Sequence, residues 1–194
     1  MSSGIDKSPA GETKVQRLFL ALWPDDVLRQ RIKRNSKSLL RHGGGRPVTL
    51  GNIHITLIFL GNVDGQQQSC IEQVANSIQC PTFELKLDKA GHWSRPKVLW
   101  LGCEETPEAL KQLVADLYRG IRCCGIELDS RPYQAHLTLM RKVIKPPADL
   151  TVEPVTWPLD RFVLVKSTTH PEGVKYEVIR EWPLIGNQVQ QQQI

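Results

Sequence analysis

Two strand-length apolar runs in this chain begin on the same pattern of histidine, apolar residue and threonine: His54-Ile-Thr-Leu-Ile-Phe-Leu60 and His136-Leu-Thr-Leu-Met140. Each closes the same succession of elements. In the first half, Arg17-Leu-Phe-Leu-Ala-Leu-Trp23 reads as a short strand stopped by Pro24. Asp25 and Asp26 then supply negative charge to a helix start, where the macrodipole favours it. Leu28, Ile32, Asn35 and Leu39 share one helical face, and Gly43-Gly44-Gly45 ends the helix. In the second half, Lys97-Val-Leu-Trp-Leu-Gly102 is the strand and Pro107-Glu108 opens the helix. Leu110, Leu113, Val114, Leu117 and Ile121 form its amphipathic stripe, and Gly125 stops it. From Leu18 to His54 is 36 positions, and from Leu99 to His136 is 37. Such recurrence marks duplicated supersecondary structure, so the chain is expected to form two lobes related by a pseudo-twofold axis.

The remaining segments support that plan. Asp64 to Gln79 carries Ile71, Val74, Ala75 and Ile78 at helical spacing, and Thr82 to Asp88 alternates as a half-exposed strand does. Phe162–Lys166 and Val174–Ile179 flank the turn His170-Pro-Glu-Gly173 as a terminal hairpin. The expected class is α+β: bilobal, largely antiparallel sheet with outer helices, and a cleft between the lobes. Residues 1–16 and the Gln-rich 187–194 are expected to be flexible tails around a single bilobal domain at 17–186. No apolar run approaches the roughly 18 residues of a membrane span, and the N-terminal stretch lacks an apolar signal core; a cytosolic protein without membrane contact is expected. Five cysteines without a C-x-x-C pair argue against a disulfide framework and a zinc ribbon, so all five are expected to be reduced and structural.

Alternation along a strand puts residues i and i+2 on one face. His54 and Thr56 therefore project together, as do His136 and Thr138, while Ile55, Leu57, Leu137 and Leu139 face the other way, into the core. Symmetric packing of the halves would bring both His/Thr pairs to one groove. Two imidazoles suit phosphodiester hydrolysis without a metal: one takes a proton from the attacking water, the other gives one to the departing oxygen, and histidine titrates near neutrality. Threonine hydroxyls can donate to non-bridging oxygens where charge grows. Arg141 adds a permanent charge and a fork of donors for phosphate. Five histidines and about ten threonines give about a quarter of one H-x-T by chance, so a matched pair at equivalent places in a repeat is informative.

Other features read as structural. His42-Gly-Gly-Gly-Arg46 lacks the serine of a nucleophile elbow and the G-K-[ST] of a phosphate loop, so it reads as a helix stop with a flexible loop, with Arg46 available to RNA phosphate. No histidine–cysteine spacing suits zinc. His92 beside Trp93 reads as a structural loop more than a base-stacking edge, and His170 as a turn residue. Arg29, Arg31, Lys33, Arg34 and Lys37 read as a solvated helix face.

The chain resembles the two-histidine (2H) phosphoesterases, and specifically the LigT/ThpR-like RNA 2′,3′-cyclic phosphodiesterases, historically called 2′-5′ RNA ligases. The resemblance runs from about Arg17 to Leu184. It is carried by Arg17-Leu-Phe-Leu-Ala-Leu-Trp-Pro24, His54-Ile-Thr-Leu-Ile-Phe-Leu-Gly61, His92-Trp-Ser-Arg-Pro-Lys-Val-Leu-Trp100, His136-Leu-Thr-Leu-Met-Arg141 and the His170-Pro-Glu-Gly173 turn with Tyr176-Glu-Val178. Family members often have proline before the second histidine, where this chain has Ala135. The resemblance implies a central active-site cleft, no cofactor or metal, and hydrolysis of RNA 2′,3′-cyclic phosphate ends to 2′-phosphates by a monomer. It implies His54 as proton donor and His136 as proton acceptor, with Thr56, Thr138 and Arg141 on the phosphate; the near-symmetric motifs alone fix neither direction. Two other readings stay open. One keeps the residues but changes the reaction, to 2′-5′ ligation, 2′-5′ linkage cleavage or a small cyclic nucleotide. The other is an RNA- or nucleotide-binding module without turnover.

Overall fold

The computed structural model describes residues 15–171 and 173–185, so nearly all of both expected tails lies outside it. Strand β1 (Gln16–Leu22) leads through Pro24 into α1 (Asp26–Asn35), where the Asp25 carboxylate accepts from the Leu28 amide at 2.7 Å. The helix expected to reach Gly43 breaks at fully buried Ser36 and resumes as α2 (Lys37–His42). Strand β2 (Arg46–Pro47), a 3-10 turn at Leu50–Asn52 and β3 (Ile55–Val63) follow. Helix α3 (Gly65–Ser77) starts on a capping box: Asp64 accepts from the Gln67 amide at 2.8 Å, and Gln67 returns the bond at 3.2 Å. Next come β4 (Phe83–Leu87), β5 (Lys89–Trp93), β6 (Val98–Gly102) and α4 (Glu108–Ile121). All five residues of the α4 stripe are buried, and Gly125 ends the 3-10 turn Arg122–Cys124 with φ of 70°. The chain finishes with β7 (His136–Arg141), β8 (Val155–Leu159) and the expected hairpin, β9 (Arg161–His170) with β10 (Gly173–Pro183).

The strands form one antiparallel sheet in the order β10-β9-β1-β3-β7-β6-β5, with β2 on β7, while β4 and β8 make a separate ribbon. The repeated unit is visible in the pairing. In each half the opening strand pairs with the H-x-T strand: β1 with β3, and β6 with β7. The two half-sheets join through one backbone pair, Ile55 with Leu137. Beneath that seam Ile55, Leu57, Leu137 and Leu139 are buried in the helix-covered core, as alternation requires.

Other sequence expectations change as well. His92 lies within β5, not in a loop. Arg29 is buried, its guanidinium 5.1 Å from the Trp23 ring centroid and 2.9 Å from Asp26, so it does not belong to the solvated helix face. Cys70 and Cys124 are joined by a disulfide, not reduced; Cys80, Cys103 and Cys123 are free. Spacing along the chain hides this bond because packing makes it. At Gly120 a Cβ would collide with Val74, so glycine lets α4 approach α3 closely and sets the Cys70 and Cys124 Cα atoms 5.7 Å apart.

The bridge spans 54 positions. Cys70→Ser, or thiol reductant on the native chain, is therefore expected to lower unfolding free energy by about 2–4 kcal/mol. A urea midpoint unmoved by reductant would show that the two sulfurs are not bonded in solution.

Candidate active site

The seam places the motif residues. Because Ile55 and Leu137 pair and point into the core, the residues on either side of each point the opposite way. Extending the antiparallel register by one position sets His54 across from Thr138 and His136 across from Thr56. All four side chains are half-buried and line one cleft of about 2470 Å³, larger than a small-molecule pocket needs. Exposed Arg141, at the far end of β7, lines it too. The structure thus brings together every residue expected to act.

The two rings are held by one device used twice. His54 Nδ1 lies 2.7 Å from the Asn52 carbonyl oxygen, and His136 Nδ1 lies 2.8 Å from that of Gln134. A carbonyl can only accept, so Nδ1 carries the proton in both rings and Nε2 is left to exchange one. His54 Nε2 is 3.2 Å from the Thr56 hydroxyl, which donates to it when the ring is neutral.

The surroundings differ. His54 lies among three aromatic rings: Phe19 at 4.9 Å between centroids, Tyr176 edge-on at 5.2 Å, and Trp23 stacked at 5.4 Å. His136 meets Trp93 at 4.5 Å, and Trp93 leans on Trp100. Burial therefore costs the charged form of His54 most. Desolvation, with smaller repulsion from Arg141, His136 and Arg29, outweighs the Asn52 bond and pushes its pKa down from 6.5 to about 4. His136 is lowered for the same leading reason, desolvation, with Arg141 adding to it against the Gln134 bond.

Sequence reading did not assign Phe19, Trp23 and Tyr176 to the site. The signal was present but masked. Phe19 and Ala21 occupy alternate positions of β1 and Trp23 follows just past its end, and Ala21 is the partner of Thr56, but an all-apolar run conceals which face is the cleft. Among the described residues no group of three or more His, Cys, Asp or Glu is arranged to hold a metal ion. Nine Arg and Lys side chains line the cleft with one carboxylate, Asp129, which is bound to Arg131. That imbalance favours a polyanion.

Comparison with known proteins gives the chain's relatives. The model of the 2′-5′ RNA ligase superfamily matches residues 24–171. The RNA 2′,3′-cyclic phosphodiesterase of Escherichia coli K12 is 31% identical over 173 residues, covering 87% of this chain and 97% of its own. The protein of the same name from Archaeoglobus fulgidus is 32% identical over 134 residues, or 68% of this chain and 75% of its own. Among solved structures, E. coli LigT complexed with 3′-AMP superposes with a TM-score of 0.79 at 29% identity, covering 88% of this chain and 98% of that one.

The depressed His54 pKa has a consequence for stability. Between about pH 6.5 and 4 the unfolded chain binds a proton that the folded chain refuses, so stability falls as pH falls through that window. The loss should reach on the order of 3 kcal/mol by pH 4. Urea unfolding from pH 7 to 4 is expected to show a shallower decline for His54→Asn than for the native chain; identical declines would mean that His54 is not the buried group being protonated.

Proposed function

The chain belongs to the 2′-5′ RNA ligase superfamily, and on that footing we propose that it hydrolyses RNA 2′,3′-cyclic phosphate ends to 2′-phosphates by acid–base catalysis with His54 and His136. The observation that carries the reading is the pair of imidazoles at one seam, each holding Nδ1–H on a backbone carbonyl two residues back and turning Nε2 to the cleft. His136 takes a proton from water as its oxygen attacks phosphorus. The bond to the ribose 3′ oxygen breaks, and His54 protonates that oxygen. Thr56, Thr138 and Arg141 hold the non-bridging oxygens, where negative charge grows. Every group involved comes from one chain, which suits a monomer, and none requires a cofactor.

The donor role asks His54 to be protonated although its pKa in the free protein is about 4. A phosphate anion bound beside the ring works against the desolvation cost by pairing directly with the imidazolium, removes the smaller Arg141 repulsion, and leaves the faces of Trp23 and Phe19 to stabilise the charged ring. The stronger desolvation of His54 favours a second reading, in which His54 is the base and His136 the acid.

The proposed setting is the cytosol; among the described residues no helix is long and apolar enough to cross a membrane. In that reducing compartment the Cys70–Cys124 bridge would be held open as thiols and would form on oxidation.

Hydrolysis of a short RNA ending in a 2′,3′-cyclic phosphate, with excess chelator, is expected to give a 2′-phosphate with a bell-shaped pH profile. His54→Ala and His136→Ala should each lose about 10²–10⁴ in rate. A 3′-thio analogue, whose sulfur leaves without needing a proton, should restore much of the His54→Ala loss and little of the His136→Ala loss. The opposite pattern would exchange the roles, and no turnover by the folded native chain would overturn the assignment.

A further inference from the structure

The Gly43-Gly44-Gly45-Arg46 stretch, read from sequence as a flexible loop, is packed. A Cβ on Gly43 would stand 2.5 Å from the Met140 sulfur, and one on Gly45 would stand 2.5 Å from the Arg141 carbonyl oxygen. Gly44 holds φ of 58° between them. The approach of Gly45 to the β7 backbone and the left-handed φ of Gly44 require residues without a Cβ, and the result is that β2 pairs Arg46 with Arg141.

Two like charges at partnered positions of an antiparallel pair repel. More charge is added at the same place. The turn between β5 and β6 carries Arg95, and Lys142 follows Arg141 with φ of 55°. The Val143 amide donates to the Lys97 carbonyl at 3.0 Å, tying that turn to the end of β7. Arg46, Arg95, Arg141 and Lys142 all line the cleft, and none takes part in the ion pairs among the described residues. By contrast Lys111, Arg119 and Arg131, on the α4 side of the same cleft, have carboxylate partners, while Arg122 after α4 and Lys175 on β10, the other two cations of the lining, are in no ion pair among the described residues but belong to other elements. The four of these uncompensated cations that come from β2, the β5–β6 turn and the end of β7, held in part by left-handed backbone and a close glycine approach, form a site whose repulsion an anion relieves. One cyclic phosphate beside the histidines engages Arg141 and leaves the others unmatched.

We propose that Arg46, Arg95 and Lys142 form a second phosphate subsite, which binds the phosphodiester immediately 5′ of the terminal cyclic phosphate. The substrate class is then an RNA strand of at least two nucleotides, with a mononucleotide leaving the subsite unused. This rests on the reaction assigned under Proposed function but concerns a different group of the substrate. It gives the three glycines their physical purpose: they let Arg46 reach the strand that carries His136.

The test compares a nucleoside 2′,3′-cyclic phosphate with a dinucleotide bearing the same end, using the native chain, Arg46→Ala, Arg46→Lys and Arg95→Ala, with thermal unfolding to verify folding. The native chain is expected to favour the dinucleotide at least tenfold in kcat/KM. Arg46→Ala and Arg95→Ala should each raise KM for the dinucleotide about tenfold more than for the mononucleotide, with Arg46→Lys recovering part of the loss. The salt dependence of dinucleotide KM should become shallower by about one phosphate contact. Equal efficiency on both substrates, or equal loss on both in Arg46→Ala, would overturn the subsite. In parallel, affinities of the di- and mononucleotide 2′-phosphates are measured by calorimetry. If neither cyclic phosphate is turned over, the assigned reaction fails, while the binding ratio still decides the subsite: a tenfold preference for the dinucleotide, lost in Arg46→Ala, supports it, and equal affinities refute it.

Discussion

The antiparallel pairing of Ile55 with Leu137 is the backbone pair through which the two half-sheets meet, and the cleft is built around it. Because both side chains are fully buried, a slip of one residue would turn apolar groups into the cleft and both histidines into the core. Large apolar side chains at such positions are typically worth about 2–5 kcal/mol each against alanine. The register of the histidines is therefore guarded by packing energy from below, and needs no contact between the two rings themselves. Away from that pair the half-sheets part, which opens space for a substrate between strands that would otherwise be hydrogen-bonded to each other.

The same economy governs the ring orientation. Each imidazole is fixed by a carbonyl two residues earlier, from the segment that turns the chain into its strand. A local bond of this kind is duplicated whenever the unit is duplicated. Duplication alone yields two matched rings, and chemistry then requires that they be made different. The difference comes partly from Phe19 and Trp23 in the first unit and partly from outside the repeat, where β10 contributes Tyr176; among the described residues the ring contact of His136 is with Trp93. An unequal aromatic shell breaks the symmetry of two otherwise equal bases.

What could be read from the chain follows from where each signal resides. Period-2 alternation in 54–57 and 136–139 is local, so the motif faces, the class and the core beneath the seam are legible in the sequence. The α4 stripe was legible for the same reason. The Cys70–Cys124 bond was not, because it depends on a close crossing of α3 and α4 that Gly120 permits, and a glycine in a helix does not announce which partner it admits. Arg29 was misplaced because helical periodicity reports apolar faces, while a guanidinium stacked on Trp23 can be buried on a face that looks charged. The glycine run resembled a flexible linker because composition cannot distinguish a glycine that is free from one that is pressed against a neighbouring backbone.

Charge ties these elements together. The cleft collects cations from β2, the β5–β6 turn, β7 and β10, which are distant in sequence and adjacent only through the sheet order. Arg141 is the link between the two sets of groups. It repels a proton from both histidines, and it stands opposite Arg46 in the ladder. An anion that satisfies Arg141 therefore does two things at once: it relieves repulsion along β2 and β7, and it makes protonation of the imidazoles easier. Binding and proton affinity are coupled through one guanidinium, so in the proposed reaction the phosphate to be cleaved would also help to charge the histidine that acts as acid.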